Sequence, residues 1–283
     1  MTSPASYHLD TIAAANQAGA NVLCLPGLFA GSWVFESLLP LIAARGHHAS
    51  AISFRGHAPL SPLPDIGRQS LNDYRDDAAA AARALDRPIL IGHSMGGLVA
   101  LMLAAEGLAR AAILLSPAPS RGISVLGPAI LARMARYLPA LLFSRAYLPT
   151  DADLDALVLN MVPEDQRAAV RKRLAPDSGR VSREIALGVH KISPEAVHVP
   201  LLVVGADHDR FIPLGVSRRM ANKYGASLHI AQSHGHFLFA EPEWQAQADV
   251  VLDWIDALPT DENRPVTRRV STTYTHRSSQ GLQ

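Results

Sequence analysis

The sequence predicts an α/β protein, with a mostly parallel central sheet flanked by helices and interrupted by a helical insertion. Three observations predict it. Short apolar runs alternate with stretches of helical spacing over residues 21–115 and again over 201–258, the signature of βαβ units. Between them, residues 120–198 lose that alternation and read as helices punctuated by Pro139, Pro149, Pro163 and Pro176. The 283 residues are 48% hydrophobic and 18% charged, enough apolar material for one large core.

Taken in order, 21–25 reads as a buried strand ending at Pro26-Gly27. Residues 33–44 place Trp33, Phe35, Leu38, Leu39 and Ile42 at helical spacing. A strand over 49–54 closes at Arg55-Gly56, and a helix over 70–85 starts at Ser70, with Asp73 three residues on as a capping box. Strand 88–91 leads into an Ala/Leu-rich helix over 95–106, followed by strand 112–115. Inside the insertion, 129–138 and 153–161 read as helices. Strands return at 201–204 and 227–230, each followed by a helix, at 214–224 and 244–258. The expected organisation is a core of 1–119 with 199–258, a helical cap over 120–198, and a polar tail over 259–283 without periodicity, expected to be disordered. The chain starts almost directly at the first central strand, so one or two edge strands are expected to be missing.

Composition excludes several classes. Twenty-six basic and 25 acidic side chains give a net charge of +1, which offers no broad field for nucleic acid or an anionic surface. The single cysteine, Cys24, allows no internal disulfide and no Cys-rich zinc site, and its apolar neighbours make it a buried small hydrophobe. The first 20 residues lack a secretory pattern, and no apolar run is long enough to span a bilayer, so the cytoplasm is the expected location. No cofactor or metal is called for, the expected partner is a small-molecule substrate, and the oligomeric state stays open.

The chemistry centres on Gly92-His93-Ser94-Met95-Gly96, with Gly97 next. A strand run precedes it and a helix run follows it. A nucleophile lifted on so sharp a strand-to-helix turn leaves no room for side chains two positions either side, and glycine meets that demand. The bland alternative is a glycine-rich turn with an idle serine. Helix-start N–H groups at such a turn point at the reacting oxygen, so the Met95 N–H is one candidate oxyanion donor. The loop after the first central strand, Pro26-Gly27-Leu28-Phe29, offers the Leu28 N–H as the second.

Serine needs a base, and the base needs a carboxylate to fix its tautomer. Of the 12 histidines, His234 and His236 share a loop between the last strand and the last helix, where it returns to the carboxyl edge of the sheet. Asp207 and Asp209 lie in the exit loop of strand 201–204, before Pro213. Either aspartate suits the role by position, and either could instead be a turn residue or cap.

Together these stretches resemble the α/β-hydrolase superfamily over about residues 20–258. The matching pieces are Leu23-Cys24-Leu25-Pro26-Gly27, Phe54-Arg55-Gly56-His57, Gly92 through Gly97, Gly205-Ala206-Asp207-His208-Asp209 with Pro213, and Gly235-His236. Ser116-Pro117-Ala118-Pro119 adds a similarity to bacterial hydrolases without an assigned substrate. The resemblance implies Ser94 as nucleophile, Asp209 (four residues before the proline) as acid and His236 (after the glycine) as base. Two features depart from it: many members have His-Gly where Pro26-Gly27 stands, and the edge strands look short in number.

The resemblance implies a serine hydrolase of carboxylic esters, thioesters or lactones. Amide cleavage, C–C bond hydrolysis and perhydrolysis use the same residues. A non-catalytic small-ligand binder on this fold is a second class. A metal hydrolase built on Asp207, His208, Asp209, His234 and His236 is a third, although adjacent side chains seldom converge on one ion and Ser94 would then be unexplained. The apolar stretches 137–143 and 154–161 suggest a pocket for a lipophilic acyl or alcohol group. The expected substrate contacts are Leu28, Phe29, His93, Leu141, Leu142, Phe143 and Phe237.

Overall fold

A computed structural model describes residues 6–14 and 19–259. The core elements run in the order β1 (His8–Ile12), β2 (Asn21–Leu25), α1 (Leu38–Ala44), β3 (His48–Ser53), α2 (Leu71–Ala84), β4 (Ile89–His93), α3 (Met95–Ala105) and β5 (Ala111–Leu115). The inserted segment follows with α4 (Pro128–Met134), α5 (Leu138–Leu142), β6 (Ala146–Tyr147), α6 (Asp151–Leu157), α7 (Glu164–Arg171), β7 (Asp177–Ser178) and α8 (Gly179–Ala186). The core then resumes with β8 (Leu201–Ala206), α9 (Leu214–Tyr224), β9 (Ser227–Ala231) and α10 (Trp244–Asp256).

Among the described residues, seven strands form one sheet in the order β1-β3-β2-β4-β5-β8-β9. All pairings are parallel except β1 with β3. From β2 the chain moves outward to β3, then returns to β4 on the other flank of β2, so strand order reverses between β2 and β4. Crevices at the carboxyl ends of such strands are where open α/β sheets bind ligands.

The near-continuous apolar strands are explained by cover on both faces. Side chains alternate along each strand. Leu23, Leu25, Leu90, Ala112, Leu114 and Val203 enter the layer shared with α2, α3 and α9. Val22, Cys24, Ile89, Ile91, Ile113 and Val204 enter the layer shared with α1 and α10. Helix α3 lies deepest: ten of its residues, from Met95 to Ala104, are buried, which accounts for its Ala/Leu composition. Cys24 is fully buried, and burial pushes its thiol pKa well up, as befits a core filler.

Several expectations shift. An edge strand, β1, does precede the central strands; its polar, half-exposed sequence hid it, since an edge needs only one covered face. The helix expected over 33–44 is a 3₁₀ turn (Ser32–Phe35) and then α1. The capping box at Ser70 is present, with the Ser70 side chain accepting the Asp73 N–H and Asp73 accepting the Ser70 N–H. In the inserted segment, Pro139 sits in the first turn of α5, where its missing N–H costs nothing, so it starts a helix there. The helix expected over 153–161 begins earlier, capped by Thr150, and ends at Leu157. Two two-residue strands, β6 and β7, pair antiparallel inside a segment that shows no strand pattern. Of the tail read over 259–283, residues 260–283 lie outside the described residues.

Candidate active site

Ser94 joins β4 to α3 with φ 53 and ψ −118, a backbone state rare for any residue with a side chain. Hydrogen bonds hold it there. Its N–H donates to Leu115 O at 2.9 Å, and its carbonyl accepts from Gly97 N at 3.0 Å and Ala118 N at 2.9 Å. The Ser116-Pro117-Ala118-Pro119 run is therefore a brace for the serine turn. A methyl group on Gly92 would lie 2.2 Å from Gly96 O, and one on Gly96 would lie 2.1 Å from Leu25 O. Backbone atoms on a packed sheet do not yield by that much. Gly92→Ala and Gly96→Ala should each cost at least about 3 kcal/mol of stability, read from urea unfolding. A midpoint equal to that of the unsubstituted protein would contradict the steric account.

Asp209 follows β8 and His236 follows β9. The side chain of Asp209 is 0% exposed and that of His236 3%, and Asp209 Oδ2 lies 2.8 Å from His236 Nδ1. The other carboxylate oxygen of Asp209 accepts the N–H groups of Phe211 (2.9 Å) and Ile212 (2.7 Å). Those amides fix the carboxylate, and the carboxylate fixes the ring. A proton held on Nδ1 leaves the Nε2 lone pair free to accept another. The alternatives take other roles. Asp207 bonds His208 Nδ1 at 2.7 Å and the His234 N–H at 3.3 Å, and His234 turns Nδ1 to Gln232 O at 2.7 Å. Among the described residues, no three His, Cys, Asp or Glu side chains group as they would around a metal ion.

Ser94, His236, Leu28 and Met95 line one cavity at the β2–β4 switch point. It encloses about 1180 Å³, counting the part open to solvent. Apolar side chains from α4, α5, α6 and α8 form much of its wall, including Ile130, Leu141, Leu154, Leu157 and Ile185. Of the expected substrate contacts, Leu28, Phe29, His93, Leu141 and Phe237 line it. Leu142 and Phe143 do not: they are 62% and 66% exposed. Successive helical residues point about 100° apart, so where Leu141 faces inward its neighbours turn toward solvent.

One supporting residue escaped the sequence reading, and another has a role beyond the one it assigned. Glu241 is buried and accepts the N–H of Gly235 at 2.6 Å and that of Phe237 at 3.1 Å, clamping the backbone on both sides of His236. Burial raises its pKa despite those bonds. Its only sequence signal is an acid before Pro242, just past the histidine loop. His93, expected as a substrate contact, also donates from Nε2 to His236 O at 2.8 Å. Burial, with His236 beside it, lowers its pKa to about 3, so it stays neutral and serves as a fixed donor.

The alpha/beta hydrolase family model matches residues 22–248. The chain belongs to that family. Within it, the chain is 29% identical to a monoacylglycerol lipase of Mycolicibacterium smegmatis over 245 residues, 75% of this chain and 83% of the relative. A probable esterase of Oryza sativa (subsp. indica) is 35% identical over 92 residues, 31% of this chain and 34% of that protein. Among solved structures, a soluble variant of the Saccharomyces cerevisiae monoglyceride lipase, in complex with a substrate analogue, superposes with a TM-score of 0.75 at 14% identity, covering 88% of this chain and 91% of that one. The enol-lactonase of Burkholderia xenovorans superposes at 0.68 and 19% identity, covering 88% and 96%. Both structures share the fold. No helix among the described residues is long and apolar enough to cross a membrane.

Proposed function

We propose that the protein is a serine hydrolase acting on carboxylic esters with an apolar acyl or alcohol part, monoacylglycerols among them. The observation that carries this reading is the convergence of a strained serine turn and a buried His236–Asp209 pair on one apolar cavity. Ser94 Oγ attacks the carbonyl carbon while His236 Nε2 takes its proton. Asp209 steadies the resulting imidazolium without taking a proton itself. The N–H groups of Leu28 and Met95 receive the negative charge on the carbonyl oxygen. His236 returns the proton to the leaving alkoxide, and water then repeats the sequence on the acyl-serine, releasing acid and free enzyme.

Residues 120–198 act in this reading as a cap that shapes the acyl site. Apolar transfer favours each buried methylene by about 0.8 kcal/mol, so a long chain gains affinity until the cavity is full. On p-nitrophenyl esters of rising chain length, kcat/KM should climb from acetate, by up to about fourfold per methylene, and then level off. Leu157→Trp should move the break to shorter chains. A flat profile would sink the lipophilic site. Labelling of Ser94 by a fluorophosphonate without turnover of any activated ester would instead favour a binding protein on this fold.

A further inference from the structure

A carboxylate from the inserted segment reaches the loop that carries Leu28. Asp177 in β7 is 0% exposed. Its Oδ2 accepts the Phe29 N–H at 2.8 Å, and its Oδ1 accepts Tyr74 Oη–H at 2.5 Å and its neighbour Ser178's N–H at 2.6 Å. His57 Nε2 lies 3.1 Å from Oδ2, out of line for a hydrogen bond but close enough for an ion pair. The Phe29 carbonyl accepts the Ala175 N–H at 2.9 Å, so residues 175–177 grip Phe29 on both sides.

That grip matters because Phe29 has φ +69. A bulky aromatic residue seldom adopts the left-handed region unless its surroundings impose it. The Leu28–Phe29 peptide follows the Leu28 N–H by one residue, so a flip of that peptide turns the backbone at Leu28. We propose that Asp177 is a positioning residue for the oxyanion site, holding the Leu28 amide in register by accepting the Phe29 N–H. The inference rests on the serine-hydrolase reading, and on Leu28 as an oxyanion donor within it.

A buried charge pair is an expensive way to join a cap to a core, and each partner here shifts the other toward its charged form. Burial would raise the Asp177 pKa, but His57, Tyr74 and the Phe29 amide outweigh it and leave the carboxyl below its usual range. Burial pulls His57 the other way, and Asp177 overcomes it to raise the imidazole pKa. Phe29 N, Ser178 N and Tyr74 Oη all donate to this carboxylate. An amide in its place has one acceptor oxygen and two donor hydrogens, so asparagine at 177 must leave donors unmet while keeping its size.

The test compares Asp177→Asn with Glu184→Gln. Glu184 is also a carboxylate of the inserted segment bonded to the core, through the Leu71 N–H at 3.0 Å, but it lies away from Phe29 in sequence and bonding. With kcat normalised to sites titrated by a fluorophosphonate, Asp177→Asn should lose about 10- to 100-fold in kcat, with KM within about twofold. Binding of a trifluoromethyl ketone should weaken by the same factor. Its carbonyl carbon bonds Ser94 Oγ, the serine proton passes to His236, and the new oxyanion needs the same amides. Glu184→Gln should lower Tm and leave the normalised kcat unchanged. Should Asp177→Asn not fold, Tyr74→Phe removes one bond from the same carboxylate and should shift kcat and ketone affinity together, by a smaller factor. Full normalised kcat in Asp177→Asn or Tyr74→Phe, or an equal kcat loss in Glu184→Gln, overturns the inference alone. Unchanged turnover in Ser94→Ala overturns the serine reading and this inference with it.

Discussion

Ser94→Ala should lower kcat on an activated ester by about 10⁵- to 10⁶-fold while leaving the fold in place. Alanine accepts the same backbone angles as serine. The braces from Leu115, Gly97 and Ala118 use only main-chain atoms of residue 94, so they survive the change. What is lost is the sole atom in this reading able to form the acyl-enzyme. The oxyanion amides and the cavity would remain, and those alone leave a residue of about 10³- to 10⁴-fold over water. Single-turnover measurements on a p-nitrophenyl ester, with circular dichroism to verify folding, make the comparison. A loss below tenfold would point to another nucleophile.

Asp209→Asn should cost about 10⁴-fold in kcat with little change in KM. The direction follows from the hydrogen bonds. The Phe211 and Ile212 N–H groups require an acceptor at Oδ1, so the asparagine oxygen must occupy that position. Its NH₂ group then faces His236 Nδ1, now 2.8 Å from an acceptor. The imidazole must accept there and carry its proton on Nε2, where it has no lone pair for Ser94. Asp207→Asn is the control, because Asp207 bonds His208 and the His234 backbone. It should keep activity within about threefold, as a surface polar substitution should. The reverse ranking would move the acid to Asp207. A change at His236 adds little to one at Ser94, since the residues act as a unit.

How far the site could be read in advance depended on distance along the chain. The serine turn was legible because all its constraints are local: a strand, a helix and glycines two residues either side of Ser94, each with a contact that excludes a side chain. His236 and Asp209 were narrowed by their loops and chosen by resemblance. Their pairing across 27 residues is a fact of the sheet, which sets the exits of β8 and β9 side by side. Asp177 gave no local hint at all. It lies 148 residues from Phe29, in a strand of two residues. Leu142 and Phe143 show the converse error, where an apolar run was read as uniformly inward although a helix turns its neighbours apart.

The sequence by itself determined the elements of the core, their alternation and the glycine-bounded serine, because periodicity and steric exclusion act over a few residues. Only the tertiary structure decided which face of each inserted helix meets the cavity, which carboxylate meets which ring, and that β1 closes the sheet edge. Those outcomes depend on contacts between segments tens to more than a hundred residues apart. Local propensity is blind to them, and packing and buried hydrogen bonds select them.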